Sequence, residues 1–526
     1  MWNMVIGTTV TTDEEHHMRN EGVGTWPFRA SRQSPDATAI VFRDEELTYQ
    51  QLVERTARLA HALAQLGVGR GDRVALLSAN HPAYLEGLFA AGLLGAVLVP
   101  LNARLTTPEV AYALGDCGAR VLIHSAALSD IAITATAEAG GGQRVVVDGE
   151  PDDDALGYEA IIAAASAEII DCEVTHDDPC FIMYTSGTTG NPKGVVLTHG
   201  GVTFAVMNPI IDLDLCSDEV ALVAAPLFHT AALNYISLPT LLKGGTVVIE
   251  EGFEPGRALR IIAERGVTYS FGVPTMLDAM SSHPDFAGTD LSSIRRWIVA
   301  AAPVPPRTLH TYVARGVNLC QGYGLTETGP GALVLTPKNV ERKIGSAGVP
   351  QFFTDVRVVD ADGVETKPGE RGEIQIQGRN VMREYWGRPD ATDAAFTADG
   401  WFRSGDVGVR DDEGYITIVD RLKDMIISGG ENIYPAEIEA VILGMPGVVG
   451  CGVFGVMHEK WGEVGCAAIT LERGAELTFA ELEAYLGERL AKYKIPKSMV
   501  LLDDIPRNAT GKIRKDRLRE IYATPA

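Results

Sequence analysis

The segment YTSGTTGNPKG, Tyr184–Gly194, sets four Ser/Thr hydroxyls, three glycines and one lysine between two apolar stretches. Glycine leaves backbone N–H groups free to converge, the hydroxyls add donors, and Lys193 adds positive charge, a combination suited to wrapping an anion such as phosphate. The nearest general pattern, G-x-x-x-x-G-K-[ST], requires a Ser or Thr after the lysine and a helix beyond it. Here Pro192 precedes Lys193, Gly194 follows it, and the next residues, VVLT, form a β-branched run with the character of a strand. The loop is expected to join two strands, CFIMYTS and GVVLTH, and to hold its anion with loop atoms rather than a helix dipole. A flexible Gly-Ser-Thr surface turn is the plain alternative.

Such a loop needs a scaffold, and length and composition say what kind. A chain of 526 residues exceeds one ordinary core and implies two or more domains. With 46% hydrophobic and 22% charged residues it is globular in composition. Lys+Arg 45 against Asp+Glu 69 gives a net charge of -24, which argues against nucleic acid as a partner but leaves room for a nucleotide, since a small phosphate site needs only local charge. The seven cysteines are scattered without a C-x-x-C pair, so neither a zinc knuckle nor a disulfide framework is indicated and a reducing cytoplasm fits. The first residues lack the basic start and apolar core of a signal peptide, and residues 1–17 are expected to be a disordered extension, with Met18 a truer start of the folded part. The longest apolar run, Gly87–Leu101, is too short for a membrane span and reads as a buried helix passing into a buried strand, so no integral membrane segment is expected.

Strand-like runs such as DRVALLS, AVLVP, VLIH, RVVVD and TVVIE alternate with helical patterns such as LTYQQLVERTARLAHALAQLGV, implying α/β layers with largely parallel sheets. After about Gly405 the texture changes to short strands and two helices, enough for a small α+β domain whose boundary falls near VDRLKD.

Five segments in fixed order carry the most specific signal: the loop above, QGYGLTET (Gln321–Thr328), WFRSGDVG (Trp401–Gly408), DRLKDMIISGGENIYPAEIE (Asp420–Glu439) and PRNATGKIRK (Pro506–Lys515). Together they resemble the adenylate-forming superfamily of acyl-CoA synthetases, aryl-CoA ligases, luciferases and peptide-synthetase adenylation domains, over nearly the whole chain from about Phe28. MRNEGVGTWPFRASRQSPDATA and the GGEN turn are similar to bacterial feruloyl-CoA synthetases and to medium- and long-chain fatty acyl-CoA synthetases. The resemblance implies an α/β fold with a large N-terminal domain of layered α/β sheets, residues 18–420, plus a small mobile C-terminal α+β domain, residues 421–526. It also implies ATP-dependent activation of a carboxylic acid with Mg2+ and coenzyme A, hydroxycinnamates such as ferulate being favoured over fatty acids, and a homodimer as the assembly. A nucleotide-binding homologue without activity and a P-loop phosphotransferase are the competing readings; the motif residues present and the strand after Gly194 count against them.

Residue by residue, the resemblance implies that Thr185, Ser186, Gly187, Thr188, Thr189 and Lys193 hold the departing pyrophosphate, answering what the loop is for. Glu327 would help hold Mg2+ and Thr326 contact the α-phosphate. Gln321, Gly322, Tyr323, Gly324 and the AAAP turn with Ala301 would flank adenine, while Asp406 and Arg421 would take the ribose. Ala300 stands where many relatives carry glycine, so strain is expected there if that backbone needs φ > 0. His229 would gate the acyl and thiol paths rather than act as a base, with Ala231, Ala232, Val273 and Gly329 lining the acyl pocket. Lys512 would reach the carboxylate and α-phosphate during adenylation. The small domain would then turn about Lys423, bringing Gly429 and Gly430 to the pantetheine arm, with Glu431 near the nucleotide or thiol path.

Overall fold

Short, nearly continuous apolar runs and longer helical patterns alternate through the first four hundred residues, and the fold follows that alternation. The computed structural model describes residues 19–43, 45–185, 192–302, 304–428, 431–458, 461–490, 492–508 and 511–522. The expected extension 1–17 and the loop tip 186–191 lie outside the described residues.

Two large sheets form the N-terminal bulk. One has eight strands, with Val97–Leu101, Arg73–Leu77, Val121–Ser125, Gln143–Val147 and Ala155–Gly157 parallel in its body. Pro179–Thr185 joins that body in parallel through Val97–Leu101 and pairs antiparallel with Lys193–Thr198, which pairs antiparallel with the short strand Glu384–Tyr385. The second has nine strands; Thr38–Phe42, Thr246–Ile249, Val220–Val223, Tyr269–Gly272, Arg296–Val299 and Leu319–Tyr323 run parallel, with antiparallel strands at both edges. A four-stranded antiparallel sheet, Thr354–Val359, Arg371–Gly378, Phe402–Arg410 and Ile416–Arg421, follows.

The helices are legible in their caps. Tyr49–Gln65 starts at a capping box, in which Thr48 and Gln51 satisfy each other's free N–H groups, and it buries Leu52, Leu59, Ala60 and Leu63 on one face. Each such leucine contributes about 1.5–3 kcal/mol by leaving water. The long apolar run is, as expected, a wholly buried helix, Ala83–Leu94, ended by Gly95 at φ 65 and passing into the buried strand Val97–Leu101.

Beyond the four-stranded sheet, Glu431–Ile433, Ile426–Ser428, Gly462–Leu471, Val448–His458 and Ser498–Leu501 form a sheet of their own around Ile438, Ile442, Val453, Ile469 and Leu482. The expectation of short strands and two helices is corrected here. Val448–His458 and Gly462–Leu471 make a long antiparallel pair, and three α-helices are described: Pro435–Leu443, Phe479–Gly487 and Lys515–Tyr522. Glycine-rich VVGCGVFGVMH hid the strand length, and the charged stretch KDRLREIY hid the third helix, whose buried contribution is Leu518.

One close approach ties the first described residues to this frame. A Cβ built on Gly24 would stand 2.5 Å from the backbone of Gly92 and Leu93 and 2.8 Å from the Phe89 carbonyl, so no rotamer change relieves it. Asn20 fixes the same segment by donating from Nδ2 to the Gly92 carbonyl at 2.9 Å. Gly24→Ala is expected to lower stability by about 1–3 kcal/mol, seen as an earlier urea midpoint. Gly115→Ala, which has nothing within 4 Å of its new Cβ, is expected to be neutral or stabilising.

Candidate active site

The hydroxyl-rich loop is carried as the sequence suggests. Pro179–Thr185 and Lys193–Thr198 are antiparallel neighbours, with Thr185 opposite Lys193 and Tyr184 opposite Gly194, so both ends of the loop are fixed by one ladder. Ser186, Gly187, Thr188 and Thr189 lie outside the described residues. Thr185 Oγ1 is 3.5 Å from the Lys193 carbonyl, and the Lys193 ammonium lies over the Tyr385 ring, 4.9 Å from its centroid. Tyr385 also donates from its hydroxyl to Glu327 Oε1 at 2.9 Å. The loop and the YGLTET motif, more than a hundred residues apart in sequence, thus meet through a tyrosine.

Glu327 sits in a 3-10 turn, Thr326–Thr328, that follows the strand Leu319–Tyr323. Asn380, fully buried, holds this turn by donating from Nδ2 to the carbonyls of Thr328 and Gly331 at 2.8 and 2.9 Å. Gly324 is needed where it stands, since a Cβ there would lie 1.7 Å from the Pro330 carbonyl oxygen. At the end of the same strand the Tyr323 hydroxyl donates to Asp406 Oδ2 at 2.7 Å, and Asp406 faces Arg421 across the ladder of Phe402–Arg410 with Ile416–Arg421. The residues expected around adenine and ribose are therefore brought together, with Asp406 buried at 4% exposure. Gln321 Nε2 is buried, with no hydrogen-bond partner among the described residues.

The AAAP turn corrects one expectation. The left-handed backbone is at Ala301, φ 70, and not at Ala300. The strain that an alanine adds without glycine's freedom therefore falls one residue later, at the position expected to meet adenine.

His229 lies after the strand Val220–Val223 in a segment pinned from the other large sheet. Asn80 accepts from the Leu227 N–H at 2.7 Å and donates to the carbonyls of Ala225 and Glu250, both at 2.9 Å. One buried amide thereby satisfies three backbone groups, and the signal for it in sequence is only an Asn following a buried strand. Burial first, then the positive charges of Arg104 and Lys512, push the His229 imidazole down to about 4. Its Nε2 is buried and has no hydrogen-bond partner among the described residues. The π-helix Ala231–Ser237 begins two residues on, where a widened turn often marks a functional site. Asn234 within it donates to the Gly329 carbonyl at 3.1 Å, joining Ala231 and Ala232 to Gly329. Ala232 faces a small apolar gap lined by Val223, Ala225, Ile236 and Phe271. Val273 is half-buried as the N-cap of Pro274–Ser281.

Lys512 reaches this region from the C-terminal part. Its N–H donates to Asn508 Oδ1 at 2.9 Å, and its carbonyl accepts from the Asn508 N–H at 2.8 Å, closing a tight turn with Gly511 at φ 81. Three residues on, Lys515 pairs with Glu439 at 2.9 Å, the two side chains 12% and 16% exposed. Burial raises the Glu439 carboxyl above its ordinary range, with Lys515 opposing that effect. Lys423 belongs to the 3-10 turn Leu422–Asp424 and Glu431 begins the strand Glu431–Ile433; Gly429 and Gly430 lie outside the described residues.

The buried ring and amide nitrogens of His229 and Gln321, without hydrogen-bond partners among the described residues, the carboxylates of Glu327 and Asp406, and the cations Lys193 and Lys512 suit a ligand that has an aromatic base, a sugar and phosphates. Tyr385, Asn80, Asn380 and Arg104 were not singled out from sequence. Tyr385 stands in MREYWGRPD, whose partner strand is about 190 residues earlier, and no local pattern announces that pairing.

Comparison with known proteins agrees with this geometry. Residues 28–386 match the AMP-binding enzyme family and residues 437–512 its C-terminal domain. The chain is 52% identical to a feruloyl-CoA synthase of Amycolatopsis sp over 505 residues, covering 96% of this chain and 100% of the relative. It is 42% identical to a long-chain-fatty-acid–CoA ligase of Mycobacterium tuberculosis, covering 96% of this chain and 99% of that one. Among solved structures, o-succinylbenzoate coenzyme A synthetase from Bacillus subtilis, in complex with ATP and magnesium ion, superposes with a TM-score of 0.84 at 33% identity, covering 94% of this chain and 99% of that one. Motifs, geometry and relatives converge: the chain belongs to the AMP-binding enzyme family, as an acyl-CoA synthetase of the adenylate-forming superfamily.

Proposed function

We propose that the protein joins hydroxycinnamates such as ferulate to coenzyme A in two steps at one site. In the first, a carboxylate oxygen attacks the α-phosphorus of ATP, the bond to the β-phosphate oxygen breaks, and pyrophosphate leaves. In the second, the thiol of coenzyme A loses its proton, sulfur attacks the acyl carbon, and AMP departs with the bonding electrons. What supports this reading is the 52% identity to a feruloyl-CoA synthase over 96% of the chain, together with Lys512, from the C-terminal part, whose charge acts on the His229 imidazole. A cation placed there neutralises the mutual repulsion of carboxylate and α-phosphate, which is the main obstacle to the first step.

Thr185, Ser186, Gly187, Thr188, Thr189 and Lys193 are assigned to the departing pyrophosphate, and Thr326 to the α-phosphate. Glu327 is assigned to Mg2+, which when bound supplies charge neutralisation on the phosphates. Tyr323 and the backbone of Gln321, Gly322, Gly324 and Ala301 flank the base, and Asp406 with Arg421 takes the ribose hydroxyls. His229 stays uncharged and gates the acyl and thiol paths above Ala231, Ala232, Val273 and Gly329. Residues 18–420 act as one domain and 421–526 as a second that turns about Lys423, withdrawing Lys512 and presenting Gly429 and Gly430 to coenzyme A. The cytoplasm is the proposed location and a homodimer the proposed assembly; no described helix is long and apolar enough to cross a membrane. Fatty acids are the second reading, favoured by the 42% identity to the mycobacterial ligase.

Mass-spectrometric detection of AMP and thioester, with ferulate, 4-coumarate, benzoate, octanoate and palmitate supplied separately, tests the proposal. Feruloyl-CoA is expected to form fastest; dominance of octanoyl- or palmitoyl-CoA would overturn the substrate, and absence of AMP in every tube the ligase reading itself. Lys512→Ala is expected to slow adenylation about 100-fold or more while leaving thioester formation from presynthesised feruloyl-AMP within a few-fold of wild type. The free-enzyme pH profile of kcat/KM is expected to show no His229 inflection between pH 6 and 8. That group is neutral above about 4, and its protonated fraction grows only as pH falls through that value. A wild-type inflection in that range that His229→Asn abolishes would contradict this.

A further inference from the structure

We propose that Tyr385 is a positioning residue for the phosphate site, holding Lys193 and Glu327 in their working places through two different parts of one phenol. This rests on the ligase reading above and adds a residue to it. The placement follows from strand geometry. Tyr385 stands opposite Val195, and Lys193, two residues before Val195, shares that face of the sheet, so the two side chains are diagonal neighbours within reach of a ring and a long side chain. The observed ammonium, 4.9 Å from the ring centroid, is that contact. Backbone bonds on either side, from the Arg383 N–H to the Val196 carbonyl at 3.0 Å and from the Trp386 N–H to the Gly194 carbonyl at 2.7 Å, leave the ring little freedom to drift.

The hydroxyl end does a separate job. It donates to Glu327 Oε1 at 2.9 Å, and the Glu327 carbonyl accepts from the N–H of Met382 at 2.7 Å, so the same segment grips Glu327 at side chain and backbone. A lysine and a glutamate serving one triphosphate would otherwise attract each other and neutralise both charges. With the ammonium on the ring face and the carboxylate at the hydroxyl edge, one phenol holds the two charges at separate places.

The phenol separates into two tests. Tyr385→Phe keeps the ring and removes the hydroxyl; Tyr385→Leu removes both. Adenylation is followed as pyrophosphate release with whichever acid turns over fastest, varying free Mg2+ and MgATP independently. The thioester step is followed from the presynthesised acyl-adenylate and coenzyme A, which need neither ATP nor its metal. Tyr385→Phe is expected to raise the Mg2+ concentration for half-maximal adenylation about tenfold, with KM for MgATP close to wild type. Tyr385→Leu is expected to raise both about tenfold or more, with the thioester step within twofold for either variant. Wild-type Mg2+ and MgATP dependence in Tyr385→Leu would overturn the proposal, as would a parallel loss of the thioester step, which marks a general structural role. A wild-type protein that converts neither acid nor acyl-adenylate would overturn the ligase reading, and this proposal with it, a result distinct from both.

Discussion

Every reactant in the proposed chemistry is an anion, and the protein that gathers them carries a net charge of -24. Binding is possible because electrostatics is local: at physiological salt, fields fade over about 8 Å, so a few nearby cations outweigh many distant carboxylates. Those cations come from widely separated places, Lys193 at the base of a hairpin and Lys512 in a C-terminal turn, and Arg104 adds its charge beside His229. Sequence proximity cannot assemble them. The sheets contribute to this: the short strand Glu384–Tyr385, on the edge of the eight-stranded sheet, brings one more group into range.

Buried amides hold the crossings between these elements. Asn80 joins the loop after Arg73–Leu77 to the segment that leads to His229, and Asn380 joins the end of the four-stranded sheet to the turn that carries Glu327. An amide offers two donors and an acceptor without charge, so it can satisfy several backbone groups in a buried space where an ion would need its own partner. The same preference for uncharged groups near the chemistry explains a histidine whose protonation is opposed by burial and by two cations together.

Much of this was legible in the sequence, for identifiable reasons. The runs VALL, VLVPL and VVLT are β-branched or aliphatic and bounded by turn residues, so their strands could be read directly, as could the hairpin that rules out a P-loop. The motif residues Tyr323 and Asp406, read from two separate segments, meet in the structure through a hydrogen bond. Tyr385 could not be seen, because its role depends on a two-residue strand pairing with one about 190 residues away. Ala301 illustrates another limit: the substitution visible in sequence is at Ala300, whereas the strained dihedral belongs to its neighbour, a detail of backbone path that residue types do not encode. The glycines within Val448–His458 concealed a strand by lowering its local propensity, and pairing with Gly462–Leu471 restored it.

The ion pair between Lys515 and Glu439 has a kinetic meaning. It fixes the chain three residues beyond Lys512 to the helix Pro435–Leu443, and Glu439 also accepts from the Val453 N–H at 2.7 Å. The turn bearing Lys512 is thereby fastened to the body of the C-terminal part rather than trailing from it. Rotamer changes of an exposed lysine take picoseconds to nanoseconds, whereas collective domain motion takes microseconds to milliseconds. In the proposed domain turn, Lys512 with its base anchored would leave the acyl-adenylate on the slower clock. The interval between the two proposed steps would then be set by the turning of a body and not by the wandering of a side chain, and during that interval the reactive anhydride would stay under the cation assigned to its formation.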